Sequence, residues 1–154
     1  MTVYLDHAAT SPLRPEVLAA YTQALQLVGN PSSIHSAGQG ARAMLEDARE
    51  CLAKVVGCDR NEVIFTSGGT EANNLAVKGL FAKREGNLIV TSAAEHHAVL
   101  DVVEHLEAQG AEVHWLSLNS EGQIDLDELK TVLETRGSEV ALVALMWVNN
   151  ETGV

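Results

Sequence analysis

The chain has 154 residues, 46% hydrophobic and 20% charged, long enough to bury a core. Its formal net charge of −11 argues against direct binding to nucleic acid or an anionic membrane. No apolar run approaches the roughly 20 residues of a membrane span. The start Met1-Thr2-Val3-Tyr4-Leu5-Asp6 also lacks the basic and apolar stretches of a signal peptide, so a cytoplasmic location is expected.

In chain order, residues 1–13 read as an extended arm ending in Ser11-Pro12. Pro15 and Glu16 open a helix expected to run to Val28 and stop at Gly29. After the turn-rich Asn30-Pro31-Ser32-Ser33, a second helix is predicted over Gln39–Val56, with Ala41, Leu45, Ala48, Leu52 and Val55 on one face. Cys51 falls inside that helix and Cys58 just after Gly57, where it should end. The two cysteines form no CxxC pair and read as reduced structural thiols.

From there strands and helices alternate. Strands are predicted at Glu62–Thr66, Asn87–Thr91, Glu112–Leu118 and Glu139–Val148. Helices are predicted at Thr70–Glu85, His97–Gln109 and Leu126–Thr135, with Gly110 as a stop and a turn at Asn119–Gly122. This alternation with short connections predicts an α/β fold, a mostly parallel sheet flanked by helices with right-handed crossovers. Apolar runs such as Leu88-Ile89-Val90 suit strands covered on both faces. Residues 1–60 then form an arm with helices, and residues 61–154 the α/β part.

Three polar clusters follow predicted strands, where open α/β sheets bind ligands. Ser67-Gly68-Gly69-Thr70 is neither a GxxxxGK[ST] loop nor GxGxxG. A single phosphate at the following helix N-terminus is one reading, with the glycines turning the backbone tightly. An ordinary connection with Ser67 or Thr70 as N-cap is the other. Glu95-His96-His97 reads as a structural helix start, as acid–base or ring-stacking machinery, or as a metal site needing His105 or His114 as a further ligand. Asn149-Asn150-Glu151-Thr152-Gly153 is either a turn or an amide offered to a ligand. His7 and His35 lie in non-helical segments, and the acidic run Glu121, Asp125, Asp127, Glu128 reads as a solvated face without EF-hand spacing.

Taken together, Tyr4–Pro12, Asn30–His35, Phe65–Asn74, Glu95–Leu100 and Val148–Gly153 resemble, in order, segments of the cysteine desulfurases. These form the sulfur-mobilising branch of the class V aminotransferase family, and the likeness is to its iron–sulfur-assembly members. The resemblance implies part of a fold-type-I large domain that binds pyridoxal 5′-phosphate, with residues 61–154 as its N-terminal half. It implies that Gly69 and Thr70 hold the phosphate, that the catalytic residue His96 stacks on the ring and moves protons, and that Asn150 contacts the ring hydroxyl. The implied reaction converts L-cysteine to L-alanine, the ring acting as electron sink. A cysteine thiolate of the enzyme takes the sulfur as a persulfide and hands it to an acceptor or scaffold protein. A homodimer is implied as well.

The family's Schiff-base lysine and persulfide cysteine belong to motifs beyond Val154. Lys54, Lys78, Lys83 and Lys130 all fall in predicted helices, and neither Cys51 nor Cys58 matches the catalytic cysteine. The 154 residues alone are therefore expected to be inactive. Rival readings are another class V enzyme, a selenocysteine lyase or an aminotransferase. Outside catalysis they are a module that complements a second chain, or a remnant kept for dimerisation.

Overall fold

The computed structural model of the protein describes residues 3–154. Met1 and Thr2, the start of the expected arm, lie outside the described residues. The chain forms two compact units, the first ending at Phe65 and the second spanning Thr66–Val154.

In the first unit the arm is irregular rather than extended throughout, with a turn at residues 7–9 where the Thr10 amide bonds Asp6 O at 3.4 Å. It leads to α1 (Pro15–Ala24), which carries Pro15 in its first turn. The helix is shorter than the predicted run to Val28. The Gln26 and Leu27 amides bond Gln23 O and Ala24 O, so the spiral tightens into three-residue turns. Gly29 is not a left-handed cap: a Cβ there would lie 2.9 Å from the Ala37 carbonyl carbon, so the glycine permits close passage along α2. Helix α2 spans Ser36–Val56 and starts earlier than the predicted Gln39, because His35 Nδ1 accepts the Gly38 amide at 3.3 Å and caps it. It ends at Gly57, φ +75°, a left-handed residue that suits glycine. Of the predicted apolar face Ala41 is buried, whereas Leu52 and Val55 remain exposed.

The predicted strand Glu62–Thr66 is absent. Arg60–Glu62 is a 3₁₀ turn in which the Glu62 carboxylate accepts the Asp59 amide at 2.7 Å. Beyond it the Val63 carbonyl is taken by the Arg49 guanidinium, which also lies 5.0 Å from the Phe65 ring centre. A strand needs a neighbour for its ladder, and a side chain has taken that acceptor here.

The second unit runs α3 (Gly69–Lys83), β1 (Leu88–Ser92), α4 (His97–Ala108), β2 (Glu112–Leu116), α5 (Leu126–Arg136) and β3 (Val140–Val143). The strands form one parallel sheet in the order β2-β1-β3, as the alternating pattern predicts. Central β1 is buried along its whole length. Side chains alternate across a strand, so Ile89 faces Val77 of α3 and Val102, Val103 and Leu106 of α4. Leu88 and Val90 face Leu129 and Val132 of α5 on the other side. The result is three layers, helix–sheet–helix.

Strand β3 is much shorter than the predicted Glu139–Val148. Its register with β1 slips between Leu88 and Ile89, and its ladder ends at Val143. The Ala144 amide still bonds Val90 O at 2.9 Å, and after that side chains take over as partners: the Thr91 hydroxyl donates to Ala144 O at 2.9 Å. At the opposite edge Arg136 donates to both Glu112 oxygens at 2.7 and 2.8 Å and also to Glu139, tying the starts of β2 and β3 to the end of α5. No helix among the described residues is long and apolar enough to cross a membrane.

Candidate cofactor site at the carboxyl edge of the sheet

Because the strands are parallel, Ser92, Leu116 and Val143 end on one edge. Helix α3 reaches β1 through residues 84–87 only, so it runs back against the strand and its N-terminus lies toward that same edge. At 15 residues it is about 22 Å long, enough to span β1, which extends about 17 Å. Helix α4 packs beside it and likewise starts at the carboxyl edge.

No side chain caps α3. Its N-cap is Gly68, with extended φ of 169°, rather than Ser67 or Thr70. The Ser67 amide and hydroxyl instead donate to Glu71 Oε2 at 2.7 and 2.6 Å. These bonds, the hydroxyl's first, hold the Glu71 carboxyl below its usual range. The first N–H groups of a helix have no partner within it, so those of Gly69 and Thr70 remain available. The glycines do not serve the tight turn expected of them, since neither adopts the left-handed region. A Cβ on either would meet nothing within 4 Å, so they keep the space above the helix end open. An uncapped helix N-terminus with open approach and the Thr70 hydroxyl beside it fits a phosphate monoester.

His96 caps α4, its Nδ1 accepting the Ala98 amide at 3.0 Å. That bond places the proton of the neutral ring on Nε2, the nitrogen left for a ligand. The His96 side chain is exposed, and the His97 ring centre lies 6.4 Å away. Glu95, one residue earlier, is buried, and its Oε1 accepts the Met146 amide. Burial pushes its carboxyl above the usual range, against the opposing pull of that N–H.

After β3, Asn149 donates from Nδ2 to Ala94 O at 2.9 Å. Its Oδ1 accepts the Glu151 and Thr152 amides at 2.8 and 3.0 Å. Asn149 thus builds the turn, while Asn150 is exposed and bonded only to its neighbour Glu151. The segments carrying His96 and Asn150 are therefore tied together by hydrogen bonds. The Ser67–Thr70 segment sits at the neighbouring helix start, with no hydrogen bond to either among the described residues. A cavity of about 570 Å³ opens beside the two tied loops, with Glu95, Asn149, Leu129 and Leu145 in its wall.

Other polar candidates have local partners. His114 Nε2 meets Glu128 Oε1 at 2.8 Å, and Glu128 also accepts the Ser117 amide. His105 pairs with Gln109, His35 caps α2, and His7 packs edge-on to Tyr4 at 5.3 Å. Among the described residues no group of three His, Cys, Asp or Glu side chains is placed to hold a metal. The acidic run is more than a solvated face, since Asp125 caps α5 by accepting the Asp127 and Glu128 amides. Glu95 and Asn149 are the residues whose individual roles the sequence reading missed. A carboxylate between a buried strand and a helix cap was the available signal for Glu95.

Comparison with known proteins agrees with this geometry. The "Aminotransferase class-V" family profile matches residues 3–154. The IscS-like cysteine desulfurase of Mycobacterium tuberculosis (strain ATCC 25618 / H37Rv) is 46% identical over 156 residues, covering 97% of this chain and 39% of its own length. The chain thus spans about two fifths of that relative. Among solved structures, a NifS-like protein matches with a TM-score of 0.90 and 35% identity, over 98% of this chain and 42% of the other. A structure described as SspA in complex with cysteine matches at 0.87 and 33%, over 97% and 43%. With the helix–sheet–helix layers and the open α3 N-terminus at the sheet's carboxyl edge, the profile match along residues 3–154 shows that the chain belongs to the aminotransferase class-V family.

Proposed function

We propose that this chain supplies the phosphate cradle and one ring-facing wall of a pyridoxal 5′-phosphate site in a cysteine desulfurase. The observation that carries this reading is the uncapped, glycine-opened N-terminus of α3. Gly69 and Thr70 donate their N–H groups, and Thr70 its hydroxyl, to the phosphate. His96, fixed through Nδ1, presents its ring face and a proton on Nε2. Asn150 offers its amide to the ring oxygen, since Asn149 is occupied by the turn.

When bound there, the cofactor supplies an electron sink for the α-carbon of an amino acid. The overall reaction breaks the carbon–sulfur bond of L-cysteine and forms a sulfur–sulfur bond with an enzyme thiolate, while the substrate carbon gains a proton to become L-alanine. Support for cysteine as substrate comes from the similarity to proteins named cysteine desulfurase and to one described in complex with cysteine. We extend the reading to a cytoplasmic homodimer that passes its persulfide sulfur to an iron–sulfur assembly partner; the IscS-type names of its relatives support the sulfur-transfer role alone.

Lys54, Lys78, Lys83 and Lys130 all lie within helices, and none matches the lysine motif that the resemblance implies, so the amine that captures the cofactor aldehyde is assigned to a residue outside the described ones. The test is titration of the purified chain with pyridoxal 5′-phosphate, followed by absorbance and phosphorus NMR. Thr70→Ala is expected to weaken binding about tenfold, the worth of one hydrogen bond to a charged group. Equal affinity of wild type and Thr70→Ala would refute the cradle. Sulfide released from cysteine by the unaided chain would refute the placement of the amine elsewhere.

A further inference from the structure

We propose that Glu95 and Asn149 are positioning residues, a two-point brace that sets His96 and Asn150 relative to each other. The inference rests on the reading above, in which those two residues face the cofactor. Each brace residue immediately precedes one of them in sequence. Glu95 precedes His96 at the start of α4, and Asn149 precedes Asn150 after β3.

The two bonds run in opposite senses between the same pair of loops. The carboxylate of the α4 loop accepts the Met146 amide of the β3 loop, and the Asn149 amide of the β3 loop donates to Ala94 O of the α4 loop. Together with Thr91 Oγ1 to Ala144 O, they take over where the backbone bonding to β1 ends, its last bond being Ala144 N to Val90 O. The chain thereby leaves the sheet without becoming loose, which a continued strand would not allow. Asn150 is delivered beside the edge instead of within the ladder.

The choice of residue at 95 supports a task of this kind. Among the described residues the buried polar side chains are Thr91, Ser92 and Glu95, and only Glu95 is ionisable. Removing a carboxylate from water is costly unless hydrogen bonds offset it, and the bond that Glu95 makes is the one to the Met146 amide. Asn149 is fixed at both ends of its amide, by Ala94 O on one side and by the Glu151 and Thr152 amides on the other. The Asn149 amide is used at both ends and Glu95 Oε1 is taken by the Met146 amide, whereas the residue after each is exposed.

The experiment is NMR on the isotope-labelled chain and its variants. Glu95→Ala removes the acceptor, and Glu95→Gln keeps one. Asn149→Asp keeps the turn-forming Oδ1 and loses the donor to Ala94. In Glu95→Ala the Met146 amide should exchange about tenfold faster, while Glu95→Gln stays within about threefold of wild type. The His96 ring and Asn150 side-chain amide signals should shift in Glu95→Ala and Asn149→Asp and return toward wild type in Glu95→Gln.

Unchanged Met146 exchange in Glu95→Ala overturns the proposal. So does faster exchange with the His96 and Asn150 signals unmoved, which would make the bonds structural only. If Glu95→Ala does not fold, Asn149→Asp decides: shifted reporters support the brace, and unmoved reporters overturn it. A parallel titration with pyridoxal 5′-phosphate separates the two readings. Failure of the wild-type chain to bind it counts against the cofactor site, and the brace is still judged on the cofactor-free signals.

Discussion

Ile89 is the residue through which the sheet holds the two helices that open the site. It is fully buried within β1 and faces Val77 of α3 and Val102, Val103 and Leu106 of α4. Ile89→Ala deletes three carbons, worth roughly 2.4 kcal/mol of transfer free energy at about 0.8 kcal/mol per methylene. The neighbours are carried on two different helices and collapse only partly, so a cavity adds about 1 kcal/mol more. The expected loss is about 3–4 kcal/mol, against about 0.5–1.5 for Ile89→Val. Urea unfolding followed by fluorescence is suitable because Trp115 packs against this same core, while Trp147 is 97% exposed and contributes a constant background. A loss below about 1 kcal/mol in Ile89→Ala, or one no greater than in Ile89→Val, would refute the idea that this contact keys the helices to the sheet.

Other outcomes follow from single features. The raised Glu95 carboxyl means that the folded state holds its proton more tightly than the unfolded chain does, so its stabilising contribution is complete at low pH and is lost as pH rises through the folded value. Glu95→Gln should therefore melt higher than wild type near neutral pH, with the gap closing toward about pH 4; a pH-independent gap in thermal melts would contradict this. Gly57→Ala forces a side chain onto φ +75° and should cost about 1–2 kcal/mol in urea unfolding. Gly79→Ala, inside α3 with open space around it, should instead stabilise by about 0.5–1 kcal/mol, and a loss there would contradict the openness of that helix face.

What the sequence reveals here is local in origin. Gly57, Gly110 and Gly122 announce chain reversals, and all three adopt positive φ. The apolar run through Leu88, Ile89 and Val90 announces a strand buried on both faces, and β1 is one. The edge clusters are visible for the same reason, since each adjoins a boundary set by neighbouring residues. The misses are non-local. Val63–Thr66 has strand-like residues, but a ladder depends on a partner that no window of sequence contains, and Arg49 intervenes from α2. The early end of β3 depends on Thr91, Glu95 and Asn149, whose bonds to or from residues 144, 146 and 94 span 53, 51 and 55 positions. Periodicity carries no information at that range.

The strand order also sets an order of assembly. Central β1 meets β2 across the stretch from residue 88 to 112, but meets β3 only after the chain has returned at residue 140. Closing the longer loop costs more entropy, about 0.6 kcal/mol for each doubling of length. The β1–α4–β2 crossover unit is therefore expected to condense first, with β3 joining a surface already formed. Met146 and Asn149 reach Glu95 and Ala94 last of all. The carboxyl edge is consequently expected to be the final part of this unit to close during folding and the first to open under stress, and a molecule gripped by both loops would slow that opening.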